Sequence, residues 1–560
     1  MSGPGALIAV VGVPAWATAQ SEDEAYEQNF VPFLAALEQS GGYAAVLFAG
    51  RLLESWAERK PDALRRIRAV VAEGRLELLA SGLHRPVCSA VPERDMRGQF
   101  EAHITLVKRA LGVRPCGAWI PHGIWEPTLP RLLHKVDLRW TALDRNWLVE
   151  VGAPAARVLM VEREGRAVAV IPSGPLGTGR GGLASVRLRD PESAAAAAAA
   201  VVNTKGLPSS LREGRSARAY LPCGGPEGLW ERDLLEDAGA DGLHKRVLQV
   251  SRLVRRFEQA EGEGRYAEDG PDPFLLHQAR RYLYRSQAAE AYAPCPPRVH
   301  VHGAFRDRAW RDVLRAEAAV REGLQLPSCD GVQGDLDCDG LAEARVWTRS
   351  WSATLAPERQ GILTEISHIP SAANVLCGGL ATAFLERWGL QPVAIGWSLV
   401  TTESGGDGSM RAVMCADSAL DGVPVRLTKR VLLPDSGPLE VRLDIENRGL
   451  QGARAKLSTE LFCTLGGPRL DGREEASLSV EVAGAKVPLD ELIELPEIEA
   501  IGLIGWRVRI EFELDPPARV EVEPLEEGAS RISFSWPVEL WGRERERRTI
   551  RLNIREEPHG

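Results

Sequence analysis

Two tryptophans flank a histidine in one short stretch, Gly117–Asp144, GAWIPHGIWEPTLPRLLHKVDLRWTALD. Trp119 and Trp125 bracket a loop of Pro121, His122 and Gly123. Aromatic faces beside a loop at a strand end are one way to wall a sugar site; packing in a core is the other use of such a pair. Glu126 lies one helical turn beyond His122. A second stretch, ARAYLPCGGPEGLW, carries Cys223, Gly224, Glu227 and Trp230, and a third, VHVHGAF, carries His302. Asp335, Asp337, Asp339 and Gly340 form a DxDxDG turn with Glu343 beyond. Alternate oxygens on such a turn can bind a structural calcium ion. An EF-hand needs Glu at the twelfth position, which is Val346, so the alternative is a plain turn into a strand.

The elements that must position these groups follow from hydrophobic periodicity. Ala6–Val13, Ala44–Phe48 and Leu76–Leu79 are expected strands. Val31–Gln39, Pro61–Glu73 and Arg94–Ala110 are expected helices. The last leads to a strand at Ala118, and a further helix carries Leu129, Leu132 and Leu133. Val158–Pro172 is an expected hairpin. Asp190–Val202 is an alanine-rich helix with Asp190 as N-cap and Pro191 at its first position. Apolar strands alternating with helices imply a parallel (β/α) barrel with its site at the carboxyl ends of the strands. Residues 1–268 are assigned to this barrel. Residues 269–330 form a helical domain, with helices at Asp272–Arg285 and Arg308–Glu322. Residues 331–560 are an expected β-sandwich, with strands at Ala344–Trp351, Gly361–Ile366, Val425–Leu433, Leu439–Asn447, Val508–Leu514 and Ile532–Trp536.

Composition narrows the class. The 560 residues are 44% hydrophobic and 26% charged, as in an ordinary globular protein. A net charge of −9 without a long basic run leaves no electrostatic footprint for nucleic acid. Nine scattered cysteines without a CxxC pair suit reduced thiols in a cytoplasmic protein. The apolar N-terminus has no Lys or Arg before it, which argues against a signal peptide, and no run is long enough for a membrane span. Fifteen Trp against seven Tyr suit either a carbohydrate-handling surface or large cores.

The motifs resemble glycoside hydrolase family 57, the α-amylases and 4-α-glucanotransferases. The family's Trp-x-x-Glu-x-x-Trp frame, its Pro-x-Leu helix and a later Asp match Trp119, Trp125, Pro127, Leu129 and Asp144. His122 stands where the family carries its nucleophile Glu. The family's Asp-Asp-Gly-Glu segment matches 223–230, so the acid/base position falls on Cys223 or Gly224, with Glu227 at the Glu in one register. The family's His-x-His-x-Pro is reduced to Val10–Pro14, with only the proline kept. Its Gly-x-Ile/Val-Glu strand survives as Gly74–Glu77, so Glu77 is a further candidate to line the site. His302 and Gly303 survive from a Trp-His-Gly-x-Phe segment, and Gly361–Asn374 resembles the start of the family's sandwich domain.

A retaining glycosidase needs two carboxylates about 5–5.5 Å apart. Histidine and cysteine or glycine in their places imply a non-catalytic homologue that binds an α-glucan, a maltooligosaccharide or a protein partner. The rivals are an active transferase using Glu126, Glu227 or Glu77, and a structural subunit. Trp119, Trp125, Trp230 and His302 are the expected ligand contacts. His122, Cys223 and His302 either fill the vacated space or form a thiol–imidazole pair or soft-metal site. No organic cofactor is implied, and a homodimer is compatible with the resemblance.

Overall fold

The computed structural model describes residues 6–13, 15–176, 183–207, 217–226, 234–264, 272–292, 302–376, 382–389, 391–393, 396–464, 478–505, 507–525 and 529–556. The chain divides into two compact units, Met1–Asp233 with Gln287–Pro294, and Leu234–Ser286 with Cys295–Gly560.

The first unit is a closed barrel of seven parallel strands: β1 (Ala6–Val11), β2 (Ala44–Phe48), β3 (Leu76–Ala80), β4 (Gly117–Ala118), β5 (Trp140–Asp144), β7 (Arg166–Pro175) and β8 (Leu183–Leu188). Their order is β5-β4-β3-β2-β1-β8-β7, and β7 returns to pair with β5. β6 (Leu159–Arg163) is the antiparallel arm of the expected hairpin, and β9 (Ala217–Arg218) lies beside it. Both faces of the barrel strands are covered, so β1 and β2 are apolar and buried throughout. The two faces still separate with a period of two. Ala6, Ile8 and Val10 join Leu47, Leu79, Trp140 and Ile171 inside the barrel. Leu7, Ala9 and Val11 face outward onto Phe30, Phe33, Leu52 and Trp56 of the helical jacket. Trp56 is centred there, with ring contacts to Tyr26, Phe30 and Phe48 at 5.1–5.9 Å. Gly117 is required by close approach: a Cβ there would sit 2.4 Å from the Trp140 ring. The alanine-rich helix, Pro191–Val201, has the expected start. Asp190 and Ser193 form a capping box, with Pro191 in the first turn.

The second unit combines the helices Ala238–Gly264, Pro273–Ser286 and His302–Gly323 with an eighteen-stranded antiparallel sheet. Period-two burial along Val423–Leu433 and Leu439–Asn447 places Leu427, Val431, Val441 and Leu443 in one large core. The sheet folds over through one long strand, Val508–Pro524. Its first half pairs with Arg545–Glu556 and its second half with Ala529–Leu540. The single strand expected over Ala344–Trp351 is two strands, Glu343–Trp347 and Trp351–Ala356. Thr348 N–H donates to Trp351 O at 2.8 Å and closes the turn between them.

The apolar interior of this unit also holds charge. Lys429 is fully buried and donates to Gly361 O and Phe384 O, each at 2.6 Å. Its Nζ lies 2.6 Å from Glu386 Oε2. Burial pushes the lysine down and the glutamate up from their ordinary values, and each partner offsets the shift of the other. Removing one member of such a pair strands the other. Lys429→Met is therefore expected to lower stability by about 3–5 kcal/mol. Adding Glu386→Leu should recover part of that loss, read from urea unfolding of the full chain.

Candidate functional site

The carboxyl ends of the barrel strands converge on the loop after β4. Trp119 N–H donates to Ala80 O at 2.8 Å, which carries the β3–β4 pairing one residue further. Pro121–Gly123 is a single 3-10 turn, and Gly123 N–H donates to Ile120 O at 3.1 Å. His122 sits in that turn with φ +56°, a left-handed conformation that costs a non-glycine residue about 1 kcal/mol or more. The chain then becomes extended, and Trp125 pairs with Gly224 in both directions. Trp125 N–H donates to Gly224 O at 2.7 Å, and Gly224 N–H to Trp125 O at 3.0 Å. A Cβ on Gly225 would lie 3.2 Å from Gly123 O, and one on Gly123 3.2 Å from Pro226. The two stretches nominated from sequence thus meet backbone on backbone.

This geometry redirects Glu126. The expected helix begins only at Leu129, and Ile124 is extended, so Glu126 does not stack one helical turn above His122. Its Oε1 instead accepts from the Cys223 thiol at 2.9 Å. The carboxylate lines a cavity of about 180 Å³ with Cys88, Ser89, Glu93, Met96 and Leu129. Burial, with the Glu126 charge added, pushes the Cys88 thiol up to about 12.

Glu77 lies near the amino end of β3, away from the mouth. It accepts from Tyr43 Oη at 2.5 Å, Trp140 Nε1 at 3.0 Å and Cys116 Sγ at 3.1 Å. Trp125 is fully buried among Leu129, Leu133 and Trp147. Trp119 is only partly buried against the barrel interior. Asp144 ends β5 and caps the next helix, accepting from Trp147 N–H at 2.9 Å. Glu227, Trp230 and Pro14 lie outside the described residues, as does the His302 side chain, although His302 opens the helix His302–Gly323.

The mouth carries positive charge that the motifs did not announce. Burial lowers the His122 imidazole, and the guanidinium groups of Arg187, Arg85 and Arg189 lower it further, to about 4. His122 is therefore neutral at pH 7. Arg187 comes from the end of β8, Arg189 follows it, and Arg85 from the loop after β3. Arg85 has φ +52°. It donates to Val13 O at 2.9 Å and pairs with Glu290 at 2.5 Å. Its loop is pinned by a buried polar chain: Gln287 donates to Asp95, Gln99 to Gln287, and His84 N–H to Gln99. His103 joins the β2 and β3 ends, with Nε2 2.8 Å from Phe48 O and Nδ1 accepting from Ser81 N–H at 3.4 Å. Burial holds His103 near 4 as well. Among the described residues, the one group of three or more acidic, histidine or cysteine ligands within mutual reach is Asp335, Asp337 and Glu343. Cys223 and His122 belong to no such group. The Asp339 carboxylate pairs with Arg359 Nε at 3.0 Å.

Comparison with known proteins fits this architecture. Residues 17–175 match the model of glycosyl hydrolase family 57. The chain is 23% identical over 427 residues to a 4-alpha-glucanotransferase from Thermococcus litoralis, covering 63% of this chain and 62% of that protein. It is 28% identical over 152 residues to an alpha-amylase from Pyrococcus horikoshii, covering 26% and 24%. The chain therefore spans less than two thirds of the length of the relatives it matches. A solved structure of the Thermococcus litoralis 4-alpha-glucanotransferase shares the fold, with a TM-score of 0.74 at 16% identity over 99% of this chain and 100% of that one. Residues 17–175 thus carry the match to glycosyl hydrolase family 57, and the seven-stranded barrel with its β-rich second part shares the fold of the Thermococcus litoralis structure.

Proposed function

We propose that this protein is a non-catalytic homologue of family 57 and holds an α-glucan or maltooligosaccharide at the barrel mouth, with Trp119 as the stacking face. The observation that carries this reading is that His122, not a carboxylate, stands in the turn Pro121–Gly123 at the position matched to the nucleophile. Glycosyl transfer passes through an oxocarbenium-like centre and needs a carboxylate on each side of it. A neutral imidazole supplies no compensating charge. Arginine charge near the imidazole disfavours rather than offsets a developing positive centre. At the second position, Cys223 is engaged by Glu126, and a Cβ on Gly225 would lie 3.2 Å from Gly123 O. The rival reading, an active α-glucan transferase, draws on Glu126, whose carboxylate accepts from Cys223. Seven described cysteines are free thiols, which supports a reducing, cytoplasmic setting. No helix among the described residues is long and apolar enough to cross a membrane.

Incubation with maltoheptaose tests the reading directly. The expected result is thermal stabilisation without chain-length redistribution, with the stabilisation lost in Trp119→Ala. Redistribution that disappears in Glu126→Gln would establish the rival. Neither signal would direct attention to a protein partner.

Charge at the mouth yields a second test. The ordinary histidine value is 6.5 and the folded value about 4. As pH falls from 6.5 toward 4, the unfolded chain takes up a proton that folded His122 refuses, so stability is lost in that window. His122→Asn keeps a residue that tolerates the left-handed turn. It is expected to lose less stability between pH 6.5 and 4 than the parent, by on the order of 1–3 kcal/mol. Urea midpoints measured across that range check it.

A further inference from the structure

The turn between the strands Asp330–Gly334 and Glu343–Trp347 gathers more negative charge than its protein partners neutralise. Gly334 and Glu343 are paired in register, so Asp335 and Glu343 stand at the open end of an antiparallel ladder. The loop between them folds back sharply, with Cys338 at φ +64° and Gly340 at φ +90°. Asp335 accepts from the N–H groups of Asp339 at 3.1 Å and Gly340 at 3.2 Å. One oxygen each from Asp335, Asp337 and Glu343 lies within 4.8 Å of the others. Oxygens sharing one calcium ion at about 2.4 Å can be no further apart than about 5 Å.

Glu343 supplies the independent observation. It is only 3% exposed, yet its Oε1 has no hydrogen-bond partner. Its other oxygen accepts from Leu336 N–H at 2.8 Å, which fixes the carboxylate within the cluster. A buried carboxylate oxygen left unpaired is costly unless a cation meets it. Arg359 answers part of the charge, pairing with Asp337 at 3.1 Å and Asp339 at 3.0 Å. It does not pair with Asp335 or Glu343. One guanidinium faces four carboxylates and pairs with two of them, Asp337 and Asp339.

The geometry points to a calcium site formed by Asp335, Asp337 and Glu343, the three carboxylates within mutual reach. Hard carboxylate oxygens with no nitrogen or sulfur donor suit calcium, and the remaining coordination goes to water or backbone carbonyls. An ion there ties the end of one strand to the start of the next. Two residues on, Arg345 enters a buried ion network with Glu317, which Arg246 also contacts. Calcium would therefore brace the sheet edge against the helices that carry Glu317 and Arg246.

Titration of the chelator-stripped full chain with Ca²⁺ alone tests this, by calorimetry and by thermal unfolding. One equivalent should bind in the micromolar-to-millimolar range, with stabilisation at about 1 mM. Glu343→Gln and Asp335→Asn should each weaken binding about tenfold or more, whereas Asp339→Asn changes it less than about threefold. Asp335→Asn keeps an oxygen for the two loop N–H groups, so it separates lost binding from lost folding. No heat and no stabilisation up to about 5 mM Ca²⁺ would overturn the proposal, as would binding that survives both Glu343→Gln and Asp335→Asn.

Discussion

Two hydrogen bonds between Trp125 and Gly224 decide what the mouth of this barrel can be. They fix the register between the loop after β4 and the segment that follows β9. Once that register is set, the backbones approach closely: a Cβ on Gly225 would lie 3.2 Å from Gly123 O, and one on Gly123 3.2 Å from Pro226. Glu126 is carried toward Cys223 and lines the small cavity. His122 is held in a left-handed turn, and burial with nearby arginine charge lowers its imidazole.

Much of the first unit could be read in its pattern. Continuous apolar runs announced β1, β2 and β3, and the Asp190–Pro191 start announced a helix by its capping chemistry. β8 was less legible, because Ser185 and Arg187 interrupt its apolar run where it reaches the mouth. That is also why the arginines escaped notice: Arg85, Arg187 and Arg189 come from separate parts of the chain, and only barrel closure brings their charge to His122. Spacing located His122, Cys223 and Glu126 as positions but could not give their directions, which depend on φ at His122 and on one backbone bridge. Alternation of strand and helix up to residue 270 also hides the long helix Ala238–Gly264. Its stripe of Leu243, Val247, Val250, Val254 and Phe257 is visible at helical spacing, and all five are buried. The tryptophan surplus is mostly core: Trp56, Trp125, Trp351 and Trp536 are buried, whereas Trp541 is exposed.

The second unit places charge where the first places aromatic rings. Glu317 is held well below the ordinary carboxylate range by Arg246, Arg345 and Arg321 despite its burial. Lys429 bridges two backbone carbonyls and Glu386. Such pairs contribute little net stability over apolar packing, but they tolerate only one arrangement of their partners. In a sheet of many similar strands, that intolerance favours a single register.

The barrel closes by pairing β1 with β8, Ala6 against Leu183. During synthesis, the first strand therefore leaves the ribosome long before its partner exists. One apolar edge of the nascent sheet stays open while β2 to β7 are made, the state in which strand edges recruit the wrong neighbour. Chaperone demand for this protein should consequently be set early in translation, by the waiting edge of its first strand, and not by the larger sheet made later.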